Sequence, residues 1–341
     1  MGERRRNLCD RLASESVDTL SDLLRRAGAT DARVRQLIQR PPWSMTYADA
    51  PALTVFATFG GPAMLRLEDV PSAPPARLAA GDIALVTHSA RHTISDDLAT
   101  PPQVLIRGGH KQLLGDSRAQ AVLEARLAPR TWGDGLPGAT RMLRGMFQLR
   151  GEAGRRLLAM LPPLAVVPAG PRTGAALDLL AAEAARDEPG QDAVLNRSLD
   201  LVLVLALRSW CASIGPAHPS WYAALTDPSI GTALDQLHTE PARPWTVAEL
   251  AEVAGMSRAA FAARFARLVG QPPMAYLTDW RMTMAADLLR EDAATTVAAA
   301  ARAVGYQDAF AFSVAFKRAK GVSPSRWGRE EDPVDAEAAV R

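Results

Sequence analysis

Residues 246–257 read TVAELAEVAGMS and residues 296–307 read TVAAAARAVGYQ, so one pattern occurs twice at an offset of 50 residues. Farther along the chain the offset becomes 51, and the pairs at this offset are Phe261 with Phe312, Phe265 with Phe316, and Gly270 with Gly321. A pattern that recurs at a nearly fixed spacing indicates a repeated supersecondary unit. The C-terminal part of the chain is therefore predicted to contain two copies of one helical module.

Each copy contains the parts of a helix-turn-helix. A threonine, Thr246 or Thr296, suits the N-cap of the first helix, because its hydroxyl can accept a hydrogen bond from a free backbone N–H. A glycine, Gly255 or Gly305, supplies the positive φ angle of a tight turn. Two phenylalanines spaced four apart predict packing of the second helix on the first. The face turned away from this contact is then available to the major groove of DNA.

Basic residues cluster on and after each predicted second helix, although the whole chain has a net charge of only +2. A local patch of this kind indicates a nucleic-acid partner better than the total charge does. Residues 273–289 predict one connecting helix, which would hold two recognition helices about one turn of DNA apart. The alternative is that these helices form a module that binds another protein.

The C-terminal region, residues 244–328, resembles the DNA-binding domain of the AraC/XylS family of transcriptional regulators. The resemblance rests on WTVAELAEVAGMSRAAFAARFARLVGQPPMAYLTDWRM and VAAAARAVGYQDAFAFSVAFKRAKGVSPSRW. It implies two recognition helices set in adjacent major-groove segments of double-stranded DNA. The residues that it implies as base-facing are Arg258, Ala259, Ala262 and Ala263 in the first recognition helix, and Asp308, Ala309, Phe310 and Val314 in the second.

These base-facing positions depart from the family, which often has Arg or Gln at the places held here by Ala263 and Val314. Alanine and valine can contact a thymine methyl group but cannot make bidentate hydrogen bonds to guanine or adenine. We therefore expect phosphate contacts to supply much of the binding and direct readout to be modest. The expected phosphate contacts come from Arg264, Arg267, Lys317, Arg318 and Arg326, and Arg264 is also a candidate for reaching the bases.

The N-terminal half has a different sequence pattern: between residues 40 and 150, short apolar runs alternate with Gly, Pro and Asp. This spacing predicts many short strands in a sandwich or barrel. Residues 77–96 read RLAAGDIALVTHSARHTISD and resemble the second half-motif of cupins, with His92 at the histidine position. Together with DTLSDLLRR at 18–26 and residues 142–164, they resemble the cupin-type regulatory domain of one branch of the same family.

The predicted fold class is α+β: an N-terminal cupin-like β-barrel, a helical linker and a C-terminal all-α domain with two helix-turn-helix motifs. The predicted segments are a disordered arm at 1–16, a cupin-like regulatory domain at 17–170, a helical linker at 171–240, a DNA-binding domain at 241–330 and a disordered tail at 331–341. A helix predicted at 191–213 is apolar on more than one face, which indicates either a dimer interface or burial between domains.

A barrel of this type can enclose one small ligand, so the N-terminal domain is a candidate sensor of a small-molecule effector. The candidate effector-binding residues are large or polar and lie on or beside predicted strands; they are Trp43, Phe56, Met64, His92 and Trp132. The alternative is that these side chains fill a closed core.

Cupin enzymes bind metal through several histidines and a glutamate. Residues 53–68 contain no histidine, which leaves His88, His92 and His110 as candidates. We therefore expect no catalytic residues, no metal and no cofactor, and the alternatives are a metal-dependent cupin enzyme or a regulator that senses redox state or metal. The two cysteines, Cys9 and Cys211, are far apart, which is typical of a reducing compartment and not of a disulfide framework.

The remaining expectations concern partners and location. The most apolar run, residues 199–207, contains Asp200 and is too short to span a bilayer, and we expect no signal peptide at the start of the sequence. We expect a cytoplasmic homodimer that binds promoter or operator DNA and that contacts RNA polymerase if it is an activator; activation and repression are both open.

Overall fold

The computed structural model describes residues 18–27, 30–114, 126–213, 220–292 and 294–329. The predicted arm at 1–16, the predicted tail at 331–341 and Cys9 lie outside the described residues. The chain divides into two compact units. The sheet unit draws its described residues from 28–149 and 158–218, and the helical unit draws its own from 1–27, 150–157 and 219–340.

Strands make up most of the sheet unit. They are β1 (Thr30–Gln39), β2 (Ser44–Tyr47), β3 (Leu53–Phe59), β4 (Ala63–Leu67), β5 (Ala76–Leu78), β6 (Ile83–Thr87), β7 (His92–Ser95), β8 (Val104–Arg107), β9 (His110–Leu113), β10 (Arg126–Ala128), β11 (Thr131–Gly133), β12 (Thr140–Gln148) and β13 (Leu164–Val167). They form a seven-stranded sheet in the order β10-β11-β1-β12-β3-β6-β13 and a six-stranded sheet in the order β5-β4-β7-β2-β8-β9. The predicted cupin-like β domain is confirmed in this two-sheet form.

The core of the sheet unit lies between the two sheets. Side chains alternate between the faces of a strand, so register partners share a face. Phe56 on β3 pairs with Arg144 on β12, and Tyr47 on β2 pairs with His92 on β7. Phe56 and Tyr47 belong to one buried apolar cluster that draws residues from both sheets. Arg144 and His92 therefore face the same core.

Strand β1 begins ten residues earlier than the predicted start of the strand-rich region. Polar side chains such as Arg33, Arg35 and Gln36 interrupt its apolar pattern. It nevertheless pairs with β12 along its length and with β11 at one end. Long-range strand pairing thus stabilises a segment whose local sequence does not read as a strand.

Helices complete both units. They are α1 (Thr19–Arg26), α2 (Gly151–Ala159), α3 (Pro171–Ala184), α4 (Gln191–Ser213), α5 (Ser220–Thr226), α6 (Pro228–Thr239), α7 (Val247–Val253), α8 (Arg258–Val269), α9 (Pro273–Glu291), α10 (Val297–Ala303), α11 (Ala309–Lys320) and α12 (Pro324–Trp327). Among the described residues, no helix is long and apolar enough to cross a membrane.

Helices α3 and α4 belong to the sheet unit, where α4 contacts β1 and β13. Gly145 on β12 lies so close to Leu199 of α4 that a side chain there would overlap it. One apolar face of α4 is buried in this way, whereas Val194 and Leu201 keep 43% and 46% of their surface exposed. The segment predicted as one linker, residues 171–240, is therefore shared: α3 and α4 cluster with the sheets, and α5 and α6 cluster with the C-terminal helices.

The helical unit has two apolar clusters, one for each helix-turn-helix. The first includes Phe261 and Phe265 of α8, and the second includes Phe312 and Phe316 of α11. Helix α9 contributes Leu277 to the first cluster and further residues, from Met282 onward, to the second. The predicted connecting helix at 273–289 thus forms and links the two motifs.

By its contacts, helix α1 clusters with the helical unit. The Thr19 hydroxyl donates a hydrogen bond to Asp235 of α6 over 2.8 Å. The buried carboxylate of Asp22 lies 2.9 Å from Nδ1 of His238, whose Nε2 is 2.7 Å from the Tyr276 hydroxyl. The contacts of Thr19 with Asp235 and of Asp22 with His238 each join residues 216 positions apart, so local sequence patterns could not reveal them.

Candidate functional site

The two recognition helices, α8 and α11, have fixed ends. The Ser257 hydroxyl accepts a hydrogen bond from the Ala260 N–H at the start of α8, and Gly270 ends the helix with a φ of 85°. At α11 the corresponding residues are Asp308 and Gly321, and the φ of Gly321 is 80°. Caps of this kind determine where a helix begins and ends, and so which side chains it exposes.

Each recognition helix buries its two phenylalanines and exposes the opposite face. On α11, Phe310 keeps 77% of its surface exposed and Val314 keeps 56%. On α8 the equivalent positions are Ala259 and Ala263, both exposed, while the predicted Ala262 and Ala309 are half-buried. An exposed apolar surface on a helix is suited to contact with thymine methyl groups in a major groove.

Asp308, which is predicted to face the bases, is exposed and lies at the start of α11. Its carboxylate accepts hydrogen bonds from the backbone N–H groups of Phe310 and Ala311, at 2.9 and 3.1 Å. It therefore acts as the N-cap of α11 and matches Ser257 in the first copy. A carboxylate engaged in this way orients the helix, and its charge disfavours close approach to phosphates.

Arg264 was predicted to contact phosphate or bases, yet it is engaged within the protein. Its Nε donates a hydrogen bond to Asp227 over 2.9 Å. Asp227 is also the N-cap of α6. Burial raises the pKa of Asp227, but hydrogen bonds from the Ile230 N–H and from Arg264 outweigh burial and hold that pKa below its usual range. Arg264 thus links α8 to α6.

Unlike Arg264, four other cations on the recognition helices are exposed: Arg258, Arg267, Lys317 and Arg318. Within the described ranges of the chain, none of the four forms an ion pair or hydrogen bond through its side chain. Arg267 and Arg318 occupy equivalent positions of the repeat. Lys320 instead pairs with Glu152. Arg326 is exposed and has an interaction of its own.

The interior of the sheet unit brings together four of the five predicted effector-binding residues. Trp43, Phe56 and His92 are fully buried, and Trp132 packs against the same cluster. The Phe56 and His92 rings meet edge to face at 5.4 Å. Met64 does not join them, because Ala63, Leu65 and Leu67 of β4 face the core and Met64 lies on the other face of the strand.

His92 is neutral in this core. Burial lowers its pKa to about 3, and the charge of Arg144 adds to the effect. Among the residues that the structure describes, neither ring nitrogen of His92 makes a hydrogen bond of good geometry, and the nearby Ser89 backbone opposes the lowering of its pKa only in part. A buried polar group without a partner is costly and therefore calls for an explanation.

The sheet unit also contains the residues on which the predicted metal and redox alternatives depend. His88 and His110 are both exposed, unlike the buried His92. The Nε2 atom of His88 lies 2.9 Å from the carbonyl oxygen of Leu158. No group of three or more His, Cys, Asp and Glu side chains within the described part of the chain is placed to hold a metal ion. Cys211 is a buried thiol whose pKa burial raises to about 12.

A residue that the sequence interpretation missed, Arg144, lies in the same interior. It is only 7% exposed, and its guanidinium carbon is 3.7 Å from the centroid of the Tyr47 ring. The signal that could have revealed it is its position in β12. Met142 and Met146, two residues away on either side of Arg144, lie on the same face of that strand. Arginine at a core-facing strand position is rare unless it is paired.

Comparison with known proteins agrees with both units. The cupin family matches residues 18–212, and a helix-turn-helix domain matches residues 250–330. A Streptomyces antibioticus protein named as an AraC-like transcription regulator is 34% identical over 322 residues, covering 93% of this chain and all of that protein. The HTH-type transcriptional regulator AlkR of Acinetobacter baylyi is 31% identical over 258 residues, covering 73% of this chain and 80% of AlkR.

Proposed function

The chain belongs to the AraC-like family of DNA-binding transcriptional regulators, and from this premise we propose how its two units divide the work. The helical unit binds double-stranded promoter DNA through α8 and α11. The sheet unit senses a small-molecule effector and has no catalytic role. The observation that supports the first assignment is the pair of matched recognition helices, each anchored by two buried phenylalanines and exposing unpaired cations.

The proposed DNA contacts fall into two classes. Arg267, Lys317 and Arg318 bind phosphates, because they are exposed cations on the recognition helices, and Arg258 faces the bases as the family resemblance implies. Ala259, Ala263, Phe310 and Val314 face the base edges, where apolar side chains favour thymine. Selectivity therefore depends on thymine methyl groups and on DNA shape more than on bidentate hydrogen bonds.

The proposed effector site is the interior of the sheet unit. It contains buried polar groups next to aromatic rings, notably His92 beside Phe56 and Tyr47. Ligand sites in proteins combine apolar walls with a few convergent polar groups in this way. Trp43 and Trp132 extend the aromatic lining.

The proposed assembly is a homodimer in the cytoplasm, where promoter DNA is found. The exposed apolar side chains of α4, Val194 and Leu201, are the proposed contact between protomers. If the protein is an activator, it also contacts RNA polymerase.

Fluorescence anisotropy of the full chain with a labelled duplex tests the DNA-binding assignment. The duplex should come from upstream of the gene's own start and span roughly 30 base pairs, enough for two adjacent major-groove segments. Affinity should exceed that for a scrambled duplex and fall linearly on logarithmic axes as salt rises, because binding releases counterions. Equal affinity for both duplexes, or affinity independent of salt, would contradict the proposal.

A further inference from the structure

The sheet unit holds a buried positive charge, Arg144, that no carboxylate of the described residues contacts directly. Within the residues described, Nε of Arg144 has no hydrogen-bond partner and its guanidinium forms no ion pair. Burial lowers the pKa of Arg144, the charges of Tyr47 and Asp49 oppose that shift, and the charge of Arg35 adds to it. Asp49 already accepts a hydrogen bond from the Gly108 N–H. A guanidinium stays charged in proteins, and no carboxylate of the described residues forms an ion pair with it; Asp49 acts on Arg144 only as a nearby charge.

Two further cations stand on the same side of the sheets. Arg35 is the register partner of Arg144 and shares its face of the seven-stranded sheet. Its guanidinium carbon is 5.4 Å from the centroid of the Trp132 ring. Lys111, on β9 of the other sheet, has its Nζ 5.1 Å from the same ring. Trp132 thus lies between two exposed cations where the two sheets approach each other.

The walls around Arg144 are apolar and aromatic. Its guanidinium lies against Tyr47 and is 6.0 Å from the centroid of Phe56. Met142 and Leu37 belong to the same core. Stacking on a ring occupies the flat face of a guanidinium and leaves its N–H edge for a planar acceptor with two oxygens. Nearby, His92 also has unpartnered nitrogens.

We propose that the core of the sheet unit binds a small carboxylic acid with an apolar body, whose carboxylate pairs with Arg144 and whose body packs on Tyr47, Phe56 and Trp132. This inference rests on the proposed role of the unit as an effector sensor and names the chemical class of the effector. One buried arginine fork matches one carboxylate, whereas phosphate sites generally gather several donors. Arg35 and Lys111 attract the anion to the interior.

Calorimetric titration of the full chain with benzoate, phenylacetate and octanoate tests the proposal, with the corresponding primary amides as neutral probes. At least one acid should bind, and its amide should bind at least tenfold more weakly. Arg144→Met should weaken the acid by roughly 10- to 100-fold, the range expected for a lost charge-assisted hydrogen-bond pair. Arg144→Lys should restore only part of the affinity, because lysine lacks the planar fork.

The matched control is Arg141→Met, which removes an exposed arginine from the other face of β12 and should leave acid binding unchanged. Arg144→Met should also raise the melting temperature of the ligand-free protein, since it removes an uncompensated buried charge. That result would show that the variant folds. Binding of no acid, equal binding of acids and amides, or unchanged acid binding in Arg144→Met would overturn the proposal.

Anisotropy with promoter DNA on the same samples separates this inference from the proposed function. If DNA binding is intact and no acid binds, only the carboxylate proposal fails. If an acid binds through Arg144 but leaves DNA affinity unchanged, the carboxylate site stands and effector control of DNA binding fails.

Discussion

The two helix-turn-helix motifs of the helical unit share a scaffold and differ in the surface that they expose. In both motifs a threonine caps the first helix, a glycine ends the second, and two phenylalanines are buried. The exposed faces differ: α8 presents Ala259 and Ala263, whereas α11 presents Phe310 and Val314 at the equivalent positions. The two motifs therefore have the same scaffold but different recognition surfaces. The surface of α11 should contribute more to the readout of bases than that of α8.

A second difference concerns how each recognition helix is tied to its surroundings. Arg264 of α8 pairs with Asp227, whereas the equivalent position in α11 is Ala315. Helix α11 instead pairs through Lys320 with Glu152. A basic residue on a recognition helix is thus not necessarily a DNA contact, and its partner within the fold decides which role it has.

The shared scaffold of the two motifs depends most on the buried phenylalanines. Phe265→Ala and Phe316→Ala should each destabilise the helical unit by about 3–5 kcal/mol, because each removes a fully buried ring from its own cluster. Denaturant unfolding followed by circular dichroism measures both. Phe310→Ala, which removes an exposed ring from α11, is the control and should change stability by less than about 0.5 kcal/mol. A loss of less than about 1 kcal/mol in the free energy of unfolding for either core variant would show that the two motifs do not have equivalent cores.

The next effect concerns the exposed faces. Phe310→Ala gives the second motif the residue that the first motif has at this position, and should weaken binding to the promoter duplex by about 1–3 kcal/mol through lost base contact. Ala259→Ser, its counterpart in the first motif, should change affinity by less. Anisotropy measures both variants. Unchanged affinity in Phe310→Ala would remove the proposed difference in readout.

The helix caps should give a smaller difference. Thr246 and Glu249 form a reciprocal capping box, whereas Thr296 accepts a single hydrogen bond from the Ala299 N–H. Thr246→Ala should therefore destabilise the unit by about 1 kcal/mol and Thr296→Ala by somewhat less. The same unfolding experiment compares them. A larger cost at Thr296 would show that the capping box adds nothing to the first motif.

The smallest expected effect is that of Arg264→Ala. The Arg264 side chain is partly exposed, so its pair with Asp227 should contribute at most about 1 kcal/mol to stability. Because the side chain is engaged with Asp227, the variant should leave DNA affinity and its salt dependence near those of the unchanged protein. A salt slope reduced by about one would instead restore Arg264 as a phosphate contact.

What could be predicted from the sequence was local and periodic. The caps, turn glycines, paired phenylalanines and connecting helix of the repeat all follow from spacing within one motif. The strand-rich texture of the N-terminal half is likewise a local pattern. These features predicted the two kinds of domain and the recognition helices.

What could not be predicted depends on contacts between distant segments. The pairing of Arg264 with Asp227 and the placement of α1 beside His238 join residues that no spacing rule connects. Met64 was assigned to the interior by residue type, but strand register sends it to the other face. Arg144 was missed for the opposite reason, because a charged residue in a strand reads as exposed until its register partners are known.

Both motifs should engage DNA together, through the equivalent arginines Arg267 and Arg318. The most direct test is the salt dependence of promoter binding by the double variant Arg267→Ala/Arg318→Ala. The control, Arg77→Ala/Arg107→Ala, removes the same two charges from exposed positions of the sheet unit. The slope of log affinity against log salt should fall by about two in the first variant and stay unchanged in the control. An unchanged slope in the first variant, or an equal loss in both, would contradict the account.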